Sequence, residues 1–206
     1  MSNPTSSTRP VPLAAQPTSL WAGFLSYLVP GLGQIYQGRV GKGLLFLVCI
    51  YGLFFLGMYL GSGEVEVNDR VYRITSNVYL PDTAAKNNPW GLPWRLAANL
   101  YNRPQFLGQF WVGIVAWPAI IQYITYNPAQ ESGPIFGTFM REPPETTINR
   151  LQTAGDKRWD LGWVYTVIAG VLNIMVIYDA YAGPAFGPAG SERSREGDAK
   201  HANPSA

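Results

Sequence analysis

Hydrophobic and polar positions fall in long blocks along this chain. Four blocks are apolar: Leu20–Tyr36, Leu44–Gly61, Gln105–Tyr126 and Leu161–Ala182. The first runs 17 residues without a charge, the short end of the ~17–25 that a helix needs to cross a bilayer. The pattern predicts an all-α integral membrane fold: four transmembrane helices in a domain over residues 19–182, joined by interfacial loops. The flanking stretches, 1–18 and 183–206, are rich in Ser, Pro and Gly and read as disordered tails.

Breakers inside the blocks refine this. Pro30 removes an N–H and crowds the preceding turn, so the first span is expected to kink and unwind at Gly31–Gly33. Pro118 predicts a kink in the third. Gly57 and Gly61 stand four apart, a spacing that seats a partner helix. Between the blocks, Glu64–Val67 and Arg70–Ile74 alternate around Asn68-Asp69, a weak hairpin signal. Trp90, Trp94 and Tyr101 suit a headgroup layer, with a short interfacial helix over Arg95–Tyr101. Pro143-Pro144-Glu145 opens a helix that should end at Ala154, before Gly155.

Composition supports the membrane reading. Charged residues make up 14% of the chain, against about 25% in a soluble domain. Mean hydropathy near zero averages apolar blocks with polar tails. A net charge of +2 gives no case for a nucleic-acid partner. The single cysteine, Cys49, cannot form an internal disulfide.

Candidate chemistry is sparse. The stretch Pro30–Gly43 is glycine-rich, but a phosphate loop ending at Gly41-Lys42 would need glycine where Tyr36 stands and Ser or Thr where Gly43 stands. No histidine, cysteine and carboxylate set has metal spacing. No catalytic residue, metal or cofactor is therefore expected. Asp179, 18 residues along the last span from Leu161, is the ionisable group of interest. With four crossings it shares a membrane face with Arg103 and Arg95, and an ion pair with one of these is expected. Arg39 would lie on the opposite face, ~27 Å away along the helix rise. Gln34, Gln122 and Asn173 are polar groups within spans, suited to interhelical hydrogen bonds or to a polar pathway.

The run Leu28–Gly43 also resembles the two-transmembrane-helix domain family. Its Pro30, Gly31, Gly33, Gln34, Tyr36, Gly38, Arg39, Lys42 and Gly43 match that family's turn between two helices. Similarity to uncharacterised four-span bacterial membrane proteins extends through Arg158–Thr166 and Tyr178–Ala182. The resemblance implies membrane residence, as in a bacterial inner membrane, and a cytoplasmic Gly38-Arg39 turn. The count of cations on each side favours cytoplasmic tails instead, so orientation stays open. The functional expectation is a non-catalytic multi-pass component that organises or partners membrane proteins or lipids, alone or as a homo-oligomer. The alternative is a small channel or transporter that uses the broken first span and Asp179.

Overall fold

In a computed structural model of the protein, the described residues are 18–67, 69–74, 76–81, 91–125, 127, 130, 132–154 and 157–183. The tails expected to be disordered (apart from Thr18 and Gly183), Trp90 and Gly155 lie outside them. The elements in order are α1 (Leu20–Leu28), α2 (Leu32–Tyr36), α3 (Val40–Leu60), β1 (Gly63–Val67), β2 (Arg70–Ile74) and α4 (Gly91–Asn102). There follow α5 (Gln105–Phe110), a 3-10 turn (Ile114–Ala116), α6 (Trp117–Ile124), α7 (Glu145–Ala154) and α8 (Lys157–Ala182).

Two of the four apolar blocks form single helices long and apolar enough to cross a membrane, α3 and α8. At 1.5 Å per residue they measure about 31 Å and about 39 Å. They pack antiparallel. At one end, a Cβ on Gly57 would lie 2.8 Å from both the Gly162 carbonyl oxygen and the Thr166 methyl carbon. The Gly57/Gly61 face is thus used inside the chain. At the other end, Arg39 and Lys42 meet Asp179.

The first apolar block does not form one crossing helix. Ser19 caps α1, its Oγ accepting the Ala22 N–H at 3.2 Å. Its own N–H donates to the Tyr181 carbonyl at 3.0 Å, so α1 starts at the Asp179 end. Eight residues down α8, about 12 Å, Asn173 donates to the Ser26 carbonyl at 3.1 Å. There the chain reverses. Gly31 takes φ +84°, and a Cβ on it would overlap the Gly43 backbone, so only glycine fits. Then α2 returns beside α8, and Gln37 Nε2 donates to the Ala180 carbonyl at 2.6 Å. The block leaves at the level where it entered.

The third block behaves in the same way from the opposite end. Arg103, just before α5, donates to the Asn77 carbonyl at 2.5 Å, and Asn77 lies against Gly61 and Gly162. The α5 helix descends to Trp111, whose carbonyl accepts from Asn173 at 2.8 Å. The break falls at Gly113, with φ +97°. Pro118 produces no kink there; it occupies the first turn of α6, where its missing N–H costs nothing. The return ends at Tyr123, whose hydroxyl accepts from Asn99 Nδ2 at 3.0 Å. Asn99 also accepts the Arg103 N–H with its carbonyl, which places both feet of this hairpin together.

The expected four long helices are therefore two long helices and two reversing hairpins. The cause is local. A proline or glycine break supplies a left-handed residue, and a short run of turn residues then points the chain back. The hairpin tips touch: a Cβ on Gly113 would overlap the Tyr27 carbonyl and lie 2.6 Å from the Leu28 oxygen. The Tyr27 ring sits 5.6 Å from Phe110 and 6.0 Å from Trp111.

Smaller elements cover the Gly162 end. The antiparallel pair β1–β2 runs from Gly63↔Ile74 to Val67↔Arg70, and its two-residue turn uses Asp69 at φ 57°. Asp tolerates that region, which accounts for a hairpin without glycine. Arg150 of α7 donates to the Glu66 carbonyl at 2.9 Å and ties α7 to β1.

Gly113→Ala should lower stability by about 2 kcal/mol or more, since it adds both left-handed strain and backbone overlap. Gly41→Ala meets nothing within 4 Å and should be neutral or slightly stabilising. Thermal unfolding of the purified variants checks the pair; equal melting temperatures would remove the tip contact as a constraint.

Candidate functional site

A run of polar side chains extends through the apolar bundle from the Asp179 end to the Arg103 end. At its start, Asp179 Oδ2 accepts from Arg39 Nη1 at 3.0 Å, and Oδ1 accepts from Lys42 Nζ at 2.7 Å. Arg39 Nη2 also reaches the Asp179 carbonyl at 3.2 Å and Gln37 Oε1 at 2.5 Å. The Asp179 side chain is only one-quarter exposed. Two cations and a third donor, Gln34 Nε2 at 3.1 Å, compensate it. Lys42 in addition sits 5.5 Å from the centre of the Phe46 ring.

This corrects the expected partners of Asp179. Arg103 stacks 3.5 Å above the Tyr79 ring, and Arg95 lies over Tyr123 at 5.6 Å, both at the far end of the bundle. The expectation assumed that Leu20–Tyr36 crosses. Because that block turns back, Arg39 and Asp179 share one end.

From Asp179 the run continues inward. Gln34 Nε2 donates to the Val176 carbonyl at 2.8 Å, and its Oε1 accepts from Ser26 Oγ at 3.0 Å. Ser26 Oγ also accepts the Gly33 N–H at 3.1 Å. Close approach of α1 and α2 makes this possible, because a Cβ on Gly33 would overlap Ala22 and Ser26. Next comes Asn173, whose single amide nitrogen bridges Ser26 and Trp111. Farther on, Gln109 Nε2 donates to Thr166 Oγ1 at 2.8 Å and approaches the Asn77 carbonyl at 3.5 Å. Ser26, Gln34, Asn77, Gln109, Thr166 and Asn173 are all buried. Among them, Asn173 Oδ1, Gln109 Oε1 and both amide atoms of Asn77 have no hydrogen-bond partner among the described residues.

Of the turn residues, Pro30, Gly31, Gly33, Gln34 and Gly43 are buried in the hairpin and its contact with α3, while Arg39 and Lys42 join the ion cluster. Tyr36 is 67% exposed. Gly38 takes φ +81° in open space. Gln122 stands apart from the run: its Nε2 holds a loop by the carbonyls of Gly137 and Phe139, both at 2.9 Å. Sequence reasoning missed Ser26, Gln37, Asn77, Gln109 and Thr166. Gln109 had a usable signal, a polar residue inside an apolar block; Asn77, from a loop, had none.

A family model described as a family of unknown function (DUF6677) matches residues 21–193. The chain belongs to that family. The DUF6677 match covers both hairpins, both long helices and every residue of the polar run. No curated protein and no solved structure matches the chain. Among the described residues no group of three or more His, Cys, Asp or Glu could hold a metal ion.

In a double-mutant cycle, Asp179→Asn and Arg39→Gln should each destabilise, and together by less than their sum. The coupling should be about 1 kcal/mol, modest because the pair is partly solvated. Denaturant unfolding of the four proteins measures it; strict additivity would mean that the cluster contributes nothing to holding the first hairpin.

Proposed function

We propose that this protein lies in a bilayer as a multi-pass protein with two full crossings, α3 and α8. In this reading each hairpin dips halfway in from an opposite face. Its function is that of a small channel or transporter for a cation or a small hydrogen-bond-donating solute, seen in a closed form. The observation that carries this is the meeting of two broken helices at Asn173. Non-helical backbone at membrane depth is tolerated only where protein buries it or a polar cavity is lined by it. Half-helices that end near the midplane are a recurrent way to present carbonyls to a cation. Both α1 and α5 direct their C-terminal, carbonyl ends to that point.

Membrane residence is supported by the outward faces of the long helices. Leu44, Leu45 and Val48 on α3, and Val171, Met175 and Tyr178 on α8, are exposed, apolar surface of the kind that marks a membrane or protein contact. The organising role loses two of its supports. The Gly57/Gly61 face packs against α8 rather than against a partner, and α7 is occupied by the β-hairpin. The resemblance of Leu28–Gly43 to the two-transmembrane-helix domain family fits the membrane setting but not its topology, since here the first helix reverses.

Single cysteines at Thr18, Gly41, Asp69 and Thr153, in a Cys49→Ser background, test the arrangement by labelling from each side of the membrane. Two crossings with two half-crossings pair Thr18 with Gly41, against Asp69 with Thr153. Four full crossings would instead pair Thr18 with Asp69. Reconstituted vesicles should then pass potassium or glycerol faster than protein-free vesicles, and Asn173→Leu should cut that flux about tenfold. Flux equal to protein-free vesicles for both solutes would overturn the transport reading.

A further inference from the structure

Two properties of the polar run bear on which molecules suit it. The first is what its buried amides leave unmade. Asn77, Gln109 and Asn173 are each 0% exposed. Among the described residues, Asn77 Oδ1, Gln109 Oε1, Asn173 Oδ1 and Asn77 Nδ2 have no hydrogen-bond partner. Three of these atoms accept and one donates; whichever way the Asn77 amide is turned, it offers one of each. Buried polar groups without partners are costly, so a set of this kind suits a ligand that supplies what it lacks. A metal cation satisfies acceptors only, and a carboxylate or phosphate satisfies the donor only. A hydroxyl group does both.

These atoms are strung along α8 rather than gathered in one cavity. Asn77 lies against Gly162, Gln109 bonds to Thr166, and Asn173 follows further down the helix. The set spans about 16 Å of helix rise. The second property is the charge at each end. At the Asp179 end two cations, Arg39 and Lys42, face one carboxylate. At the Gly162 end Arg103 donates to the Asn77 carbonyl, the same oxygen that Gln109 Nε2 approaches at 3.5 Å. Arg103 also stacks 3.5 Å above the Tyr79 ring. Neither a carbonyl nor a ring cancels a guanidinium charge, and Glu142 offsets it only in part, through space. A fixed arginine at a constriction is a barrier to cations.

Resting on the transport reading, we propose that the polar run conducts a small neutral solute that carries hydroxyl groups, a polyol, and that Arg39 and Arg103 set this specificity by turning cations back. A polyol exchanges hydrogen bonds with Asn77, Gln109 and Asn173 in turn, giving a proton to each free oxygen and accepting one from Asn77. A potassium ion would be held by the same oxygens, but it has to pass a guanidinium at either end to reach them.

The test uses the full chain in phosphatidylcholine vesicles, with glycerol entry read by vesicle swelling and potassium entry by ion flux. Wild type should pass glycerol about tenfold faster than protein-free vesicles and potassium within about twofold of them. Arg103→Gln should raise the ratio of potassium to glycerol flux about tenfold, and Arg39→Gln added to it should raise the ratio further. Arg103→Lys keeps the charge without the planar fork and should keep the wild-type ratio, which a merely structural arginine would not. If Arg103→Gln passes neither solute, Arg39→Gln alone is read in its place. Potassium flux well above the protein-free rate in wild type overturns the proposal and leaves the transport reading standing. A ratio unmoved by loss of the arginines overturns their role. Glycerol and potassium both at the protein-free rate remove the transport reading and this proposal together.

Discussion

The amide of Asn173 is the constraint on which the architecture depends. A helix that stops inside an apolar bundle leaves its last carbonyls without partners, and an unpaired buried carbonyl costs about 1–3 kcal/mol. Two helices stop here, α1 and α5, arriving from opposite ends. One nitrogen on α8 meets both, through Ser26 and Trp111. The remaining carbonyls near the tips, those of Tyr27 and Leu28, lie against Gly113, where any side chain would collide with them. The reversal of each hairpin, and the approach of one tip to the other, are consistent only with a small residue and a double donor at these places.

The two hairpins are held at their feet by different chemistry. The first is closed by charge: Arg39 and Lys42 meet Asp179 where α2 passes into α3, with Gln37 bonded to the end of α8. The second is closed by amides, a ring and a cation above it: Asn99 bonds to Tyr123, Arg95 lies over the same ring, and Gln122 holds the loop carbonyls. Partial solvation of Asp179 lowers the cost of keeping a carboxylate there, and three donors spread its charge. Opening the first hairpin would separate Asp179 from Arg39 and Lys42, so salt, which screens ion pairs, should loosen its hold.

Much of the scaffold was legible in the sequence. Helices α3 and α8 cover the expected spans at 44–61 and 161–182, each starting four residues earlier. The β-hairpin and α7 stand where alternation and Pro143-Pro144 placed them. Reversal of the first and third blocks was not legible, for a physical reason. A charge-free run of 17 residues satisfies the hydropathy of a crossing helix whether it continues or folds back. Hydropathy reports what surrounds a segment, not its direction. Pro30 marked a break, but the left-handed turn at Gly31 depends on contact with Gly43, a tertiary fact. The error in direction then carried over to Asp179, whose partners follow from which end Arg39 occupies.

The polar run also has an imbalance that bears on its chemistry. Three of its buried amides, Gln34, Gln109 and Asn173, donate their nitrogens to a carbonyl or hydroxyl, while both amide atoms of Asn77 have no partner among the described residues. What remains without a partner among the described residues at Gln109 and Asn173 is the oxygen in both cases. Rotating either amide would turn its oxygen toward backbone carbonyls and leave its nitrogen in the unpaired position, so the carbonyls fix the orientation. At Gln109 and Asn173 the surplus is of acceptors, near the carbonyl ends of α1 and α5. On the proposed transport reading, anions would meet repulsion there at low dielectric, while a cation or a donor-bearing neutral solute would gain the hydrogen bonds left unmade. The same surplus makes the closed interior less stable than its packing alone implies. Replacing these oxygens with apolar groups of equal size would relieve that cost, and on the transport reading it would remove the preference for donors with it.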